Sequence, residues 1–418
     1  MSRSLVQFAV AVLFTLCAPH VRAEVISTHC RETEVPLDAM HSVARLERCG
    51  EELSEPLLWH LDRIDQIGAT LDGYVDRGNR GAGSVIYVMD TGVMASHDEF
   101  ATSNGSRVIA GFDTTTSVSV GRSRCTSDNK ATAPCYSNVD ELPASSHGTS
   151  VASVAAGRNV GVAPDATVVS IRVMNERGLA TTRTYLEGLE AITRHAWSAD
   201  APNVRTAVIN ISGWVLERLS SSFAINVVSY EEVEQKMRDM IYGVDAQGRP
   251  DPNGKRFLFV VAANNVDGGC GASGYIDRFP AILGQKTAGM ITVGGMTANN
   301  TSWSGTCRGG VEVLAPAQSI FSATITANDE YRGRRPNLRS GTSFAAPIIA
   351  GIAARLLSDR PDMTPQQLEA WITATPSRVD DASAPLANGR VAYVRSIAPA
   401  ASTTARGADA VAVGSFER

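Results

Sequence analysis

The 418-residue chain has no apolar run beyond its first two dozen residues long enough to cross a bilayer, so its body holds no candidate transmembrane helix. It has no excess of basic residues. Its 38 Lys and Arg stand against 43 Asp and Glu, and a net charge of −5 favours neither nucleic acid nor an anionic membrane as partner. It has no C-x-x-C pair, which argues against the common zinc and dithiol motifs. It has no internal repeat. With 44% apolar residues and 36 glycines, it does have material for one large or two ordinary domains with real cores.

The chain opens with "MSRSLVQFAVAVLFTLCAPHVRA". Arg3 gives a positive start, residues 5–16 an apolar stretch, and Val-Arg-Ala ending at Ala23 a small-residue cut site. That is the pattern of a secretory leader, residues 1–23. The stretch is too short for a stable membrane anchor, and Phe-Thr-Leu before Cys17 is too bulky for a lipoprotein site. The expected product is secreted or periplasmic. Of seven cysteines, Cys17 leaves with the leader and six remain. An even number in an exported chain points to disulfides. Proximity in sequence pairs Cys30 with Cys49 and Cys125 with Cys135, which leaves Cys270 with Cys307.

Residues 24–54 are polar and charged, with no strong periodicity. From Ser84 onward the texture changes. Near-continuous apolar runs at 84–89, 166–174, 206–212, 256–263 and 290–295 read as strands buried on both faces, as in a parallel sheet. Helical patterns alternate with them. One follows His147, and another is "TYLEGLEAITRHAW". "SYEEVEQKMRDMIYGV" opens with Ser229 and Glu232 in capping-box positions. "TSFAAPIIAGIAARLLS" carries Pro347 near its start, where a first helical turn tolerates it. The alternation predicts a three-layer α/β/α sandwich around a mostly parallel, doubly wound sheet, spanning residues 55–397. Residues 245–256 read as an exposed loop, and 398–418 as a disordered Ala/Ser/Thr-rich tail.

Three junctions carry chemistry. "IYVMDTGV" ends a strand with Asp90, "SSHGTSVASVAAG" starts a helix near His147, and "SGTSFAAP" starts another at Ser343. Singly these are a turn residue, a surface histidine and an N-cap. Together, each beside glycine at an element boundary, they suggest an acid, a base and a nucleophile. An aspartic protease needs two paired carboxylates, and no second DTG or DSG exists. A nucleophile elbow is followed by its histidine, and none occurs after Ser343. His60 fits a His-Asp-Ser order only formally, because "LLWHLD" lacks glycine context. The order that remains is Asp, His, Ser.

On "DTGVMASHDEF", "HGTSVASVAAG", "GVAPDATVVSIRVM", "VINIS", "VVAANN", "ITVGG", "VEVLAPAQSIFSA" and "SGTSFAAP", taken in this order, the chain resembles the subtilisin-like serine peptidases, nearest the proteinase K-like branch. The resemblance covers roughly 55–395, with "LWHLDRIDQ" similar to that branch's mature N-terminal segment. It implies Ser343 as nucleophile, His147 as general base and acid, and Asp90 as the group orienting the imidazole. It implies Asn265 as side-chain oxyanion donor beside the Ser343 N–H. It also implies a protein or peptide substrate lying as an extra strand between Ser212 and Gly213 on one side and Gly178, Leu179 and Ala180 on the other. No metal is required for the chemistry. Relatives often bind structural calcium, but no ligand loop is readable here. A monomer is expected. A Cys270–Cys307 bridge is consistent with one found in some relatives.

The departures are local. Asn264 stands where the family has glycine, and Asn tolerates the left-handed conformation such a turn needs. Gly213 and Trp214 replace Leu-Gly, and Ser150 replaces a histidine. Only about thirty residues separate the leader from the catalytic segment, so either 24–54 is a vestigial pro-region or the enzyme folds without one. A catalytically impaired peptide-binding protein on the same scaffold, or an esterase with the same triad, stays open at this point.

Overall fold

Seven apolar strands lie side by side, all parallel, in the computed structural model of the protein. They are β1 (Val85–Asp90), β2 (Val108–Asp113), β3 (Thr167–Arg172), β4 (Thr206–Ile211), β5 (Arg256–Ala262), β6 (Met290–Met296) and β7 (Val313–Pro316). Their spatial order is β7-β6-β5-β4-β1-β3-β2. The structure describes 58–393 except 77, 116–146, 176–177, 199–200, 216–227, 245–248, 250–253, 268, 272, 324–337, 375–376 and 381–389, together with three upstream strands. Residues 1–21, most of the 245–256 loop, the tail at 398–418, and Cys30, Cys49, Cys125 and Cys135 lie outside the described residues.

Alternation along each strand explains the two-sided burial. Ile86, Val88, Val208, Leu258, Val260, Ile291 and Val293 join one core. Tyr87, Met89, Ile209, Ile211, Phe257, Phe259 and Val261 join the other. Helices α1 (His147–Ala156) and α4 (Thr342–Asp359) pack into the first core. Helices α2 (Thr182–Ala196) and α3 (Tyr230–Tyr242) pack into the second. A fifth helix, α5 (Pro365–Thr373), adds Leu368 and Ile372 to the first. The three-layer sandwich is the architecture expected from the sequence. The Ser229–Glu232 capping box opens α3, and equivalent boxes open α2 at Thr181 and α5 at Thr364.

The strand order creates the site. The chain runs from β1 out to β2, returns to β3 beside β1, then crosses to β4 on the opposite flank. Connections diverge at the carboxyl end of β1, leaving a crevice there. Asp90 is the last residue of β1.

Two strands escape the sequence reading. β2 is interrupted by a register shift between Ile109 and Phe112 at an Ala-Gly pair, so its apolar run is broken. β7 has four residues and ends in proline at the sheet edge. The upstream segment departs further. Strands Arg22–Val25, Arg31–Pro36 and Ser42–Leu46 pair antiparallel and continue onto Tyr74–Asp76, where the sequence showed no periodicity. The first of them runs across the expected cut after Ala23. Charged strands such as "RETEVP" carry little apolar alternation, so a pattern reading passes over them.

The segment resembling a mature N-terminus is integral to the core. Leu58 and Trp59 are fully buried, and the Trp59 indole donates to the Gln318 carbonyl at 3.1 Å. His60 is also fully buried, its Nε2 2.9 Å from the Val160 carbonyl. Its role is structural.

A carboxyl pair joins the sheet edge to α5. Glu312 accepts the Thr292 N–H at 2.8 Å, Glu369 accepts the Gly289 N–H, and the two carboxyls are hydrogen-bonded to each other. Burial, reinforced by the neighbouring carboxylate, pushes Glu312 up to about 8. The folded state therefore holds a proton that the unfolded chain releases near 4.5. The stability this contributes is present at low pH and is lost as pH rises toward 8. Glu312→Gln is expected to flatten the fall in melting temperature between pH 5 and pH 8, read by thermal unfolding at both pH values.

Candidate active site

The Asp90 side chain is fully buried, and a buried carboxylate must be met by donors. Its Oδ1 accepts the Thr91 N–H at 2.7 Å. The imidazole of His147 completes the set, with Nδ1 2.9 Å from Oδ1 and 3.0 Å from Oδ2. That contact fixes the ring tautomer, with the proton on Nδ1 and Nε2 free to act as base.

Two further bonds join the α1 start to the loop after β1. Gly148 N–H donates to Thr91 Oγ1 at 3.0 Å, and Met94 N–H donates to Thr149 Oγ1 at 3.0 Å. Close approach dictates the glycine after the histidine. A Cβ on Gly148 would lie 2.1 Å from the Gly92 carbonyl oxygen and 3.1 Å from Asp90 Oδ1. Burial pulls the His147 pKa down, but the charge and hydrogen bond of Asp90 outweigh it, so the value ends above 6.5; Arg339 pulls it down in part.

Ser343 is the second residue of α4 and is half-buried. Its hydroxyl donates to the Ser212 carbonyl at 3.2 Å, and the Ser212 hydroxyl donates back to the Ser343 carbonyl at 2.8 Å. Pro347 explains the second bond. It stands at the sixth residue of α4, past the first turn where the sequence reading had put it. Having no N–H, it cannot pair with the carbonyl four residues earlier, which is that of Ser343. The Ser212 hydroxyl supplies the missing donor, itself accepting from Asn210 Nδ2 at 2.9 Å. A proline four residues after a serine was a visible sign of an orphaned carbonyl, but its partner lies 131 residues away. The Phe344 ring lies 5.8 Å from the His147 imidazole, which sets the Asp90–His147 couple beside the α4 start.

Asn265 is held against that helix end. Its Oδ1 accepts both the backbone N–H of Thr342 at 3.0 Å and the Thr342 hydroxyl at 2.9 Å. The carboxamide nitrogen lies 3.3 Å from the position a Cβ on Gly341 would take, and the Ser343 backbone nitrogen lies 3.8 Å from the same point. As the second residue of α4, Ser343 also offers a backbone N–H that no turn of its own helix can take. Two donors therefore converge at the Ser343 side of the crevice.

The strand-edge residues lie as a pair of rails. Ala180 bridges to Val215 in parallel, bringing the segment of Gly178, Leu179 and Ala180 beside that of Ser212, Gly213 and Trp214. Gly178 has φ +72°, and Leu179 is 39% exposed. Met174 fills the space behind Gly213, where a Cβ would come within 2.2 Å of its Cε. Trp214 is half-buried. Ser150 is buried and donates to the Ala323 carbonyl. Cys270 and Cys307 form a disulfide, the one cysteine pairing that falls among the described residues. Among those residues, no group of three or more His, Cys, Asp or Glu is placed to hold a metal, so no calcium ligand set is assigned. No described helix is long and apolar enough to cross a membrane.

Fold and site together define a class: parallel α/β sandwiches with an acid–imidazole couple and a helix-end serine at one rim, in the chain order Asp, His, Ser. Within that class the chain belongs to the subtilase family (peptidase S8), whose family model matches residues 81–402. An extracellular serine proteinase of Thermus sp. (strain Rt41A) is 29% identical over 337 residues, covering 79% of this chain and 64% of that protein. Subtilisin-like protease 3 of Pseudogymnoascus destructans is 30% identical over 332 residues, covering 77% of this chain and 62% of the relative. The chain spans between 47% and 64% of the length of the curated relatives it matches. The crystal structure of a cold adapted subtilisin-like serine proteinase is similar with a TM-score of 0.56 at 25% identity, covering 81% of this chain and 98% of that one.

Two outcomes follow from these contacts. If neutral His147 is the working base, rate rises with pH through its folded pKa. The acid limb of kcat/KM should then lie above 6.5 and move further up in Arg339→Gln, read from a pH–rate profile. Ser212→Ala leaves the Ser343 carbonyl short of a donor. It should cost about 1–2 kcal/mol of stability in denaturant titration.

Proposed function

We propose that the protein is an exported serine endopeptidase that cleaves peptide bonds through an acyl-enzyme. The observation that carries this is the Asp90–His147 couple set beside the exposed start of α4, where Ser343 sits. Ser343 Oγ rotates from the Ser212 carbonyl to His147 Nε2 and attacks the scissile carbonyl carbon. His147 takes the proton and returns it to the leaving amine, while Asp90 stabilises the imidazolium. The developing oxyanion meets the Ser343 N–H and the Asn265 carboxamide. Water then repeats the sequence on the acyl-enzyme.

The substrate is a protein or peptide held extended between Ser212 and Gly213 on one rail and Gly178, Leu179 and Ala180 on the other. The relatives' names, extracellular serine proteinase and subtilisin-like protease among them, support both the activity and an extracytoplasmic location. The chain works as a monomer and uses no cofactor in the chemical step. The leader at 1–23 directs it out.

The test is hydrolysis of a protein substrate by wild type and Ser343→Ala, with sequencing of the cut sites and labelling by a serine-directed phosphonate. Ser343→Ala should lose activity by about 10⁶-fold, as triads of this kind do. A folded wild type that binds peptide yet resists the phosphonate would instead be a binding protein, and one that cleaves only esters would be an esterase.

A further inference from the structure

Asn264 combines features that the catalytic assignment leaves unused. It is a non-glycine residue with φ +70°, it is 2% exposed, and its side-chain nitrogen is buried with no hydrogen-bond partner. A buried, unpaired amide is unfavourable, and the left-handed conformation is open chiefly to Gly, Asn and Asp. What the position needs is therefore its backbone.

The backbone there is tied on every side. Ala263 N–H donates to the Val293 carbonyl at 2.9 Å, holding the strand end before the turn. The Asn264 carbonyl accepts the Cys307 N–H at 3.1 Å, next to the Cys270–Cys307 bridge. Asn265 bridges antiparallel to Thr306, and Val266 N–H donates to Gly305 at 2.9 Å. Gly269 N–H returns to the Asn265 carbonyl at 2.9 Å. The turn at Asn264 is thus the joint between β5 and a strapped loop. Its φ sets the direction in which Asn265 leaves the sheet toward Thr342.

We infer that Asn264 is a positioning residue: its left-handed backbone, locked by the Cys307 N–H, aims the Asn265 carboxamide at the oxyanion position. This rests on the peptidase reading and on Asn265 as an oxyanion donor. An interaction made only in the transition state lowers kcat and leaves KM in place. Loss of the aim should therefore appear in kcat.

The experiment measures kcat and KM for peptide hydrolysis by wild type, Asn264→Gly, Asn264→Ala, Asn265→Ala and Asn264→Ala/Asn265→Ala. Glycine adopts the same φ freely, so Asn264→Gly should stay within about 3-fold of wild type. Alanine resists that φ, and kcat should fall by about 10-fold with KM unchanged. Asn265→Ala should lose about 10²–10³ in kcat. In its background Asn264→Ala should cost nothing further, because the amide it aims is already gone. Equal kcat values for the alanine and glycine variants, or fully additive losses in the double variant, would overturn the inference while leaving the peptidase reading intact. An Asn265→Ala enzyme with wild-type kcat would instead remove the oxyanion assignment itself. Where Asn264→Ala fails to fold, the glycine variant decides. A folded Asn264→Gly enzyme with kcat down tenfold would show that the side chain matters and the backbone does not.

Discussion

A carboxylate buried completely at the end of a central strand is the constraint on which the rest depends. A carboxylate buried there is costly without donors, and among the described residues the local backbone supplies Thr91. The other donor must come from a separate element, the first residue of α1, more than fifty residues on in the chain. That requirement brings α1 against the β1 loop so closely that only glycine fits at position 148. It also converts an ordinary histidine into one with a fixed tautomer and a raised pKa. Burial and pairing act as one device: the same low-polarity setting that makes an unpaired Asp90 costly makes the paired one effective.

A second economy runs through α4. Pro347 deprives the Ser343 carbonyl of its helical partner, and Ser212 answers with its hydroxyl. In exchange, the Ser343 hydroxyl rests on the Ser212 carbonyl. The strand end that would bind substrate and the helix end that would attack it are thus bonded directly to one another. Asn265 is tied to the same helix end through Thr342. Three segments distant in sequence meet around one helix terminus, where Asn265 takes the Thr342 N–H and the Ser343 N–H lies too early in the helix for an intrahelical partner.

Much of this was legible beforehand, and for specific reasons. β1, β4, β5 and β6 are buried on both faces, so their apolar runs are nearly continuous and announce themselves. α3 carries its own start signal in Ser229 and Glu232. Asp90, His147 and Ser343 each stand at an element boundary within two residues of a glycine, because close packing at such a junction demands small neighbours. β2 was hidden by its bulge and β7 by its brevity and terminal proline. The upstream sheet was hidden because its charged strands show little alternation of polarity. Pro347 could be seen, but its consequence could not, since the compensating hydroxyl belongs to a strand far away.

Read along the chain, the residues mark an acid, a base and a hydroxyl at element boundaries, their order, and most of the segments that become buried strands and helices. Those are properties of residue type and local spacing. Packing in three dimensions alone pairs the Ser212 hydroxyl with the Ser343 carbonyl and sets both bonds of the Asn265 oxygen on Thr342, whereas the left-handed turn at Asn264 was foreshadowed by an asparagine in a glycine position. The cause is common to both packing outcomes. Each arises from a backbone or amide group left unsatisfied at an element's end, and its partner is chosen by proximity in space, which no local pattern of residues encodes.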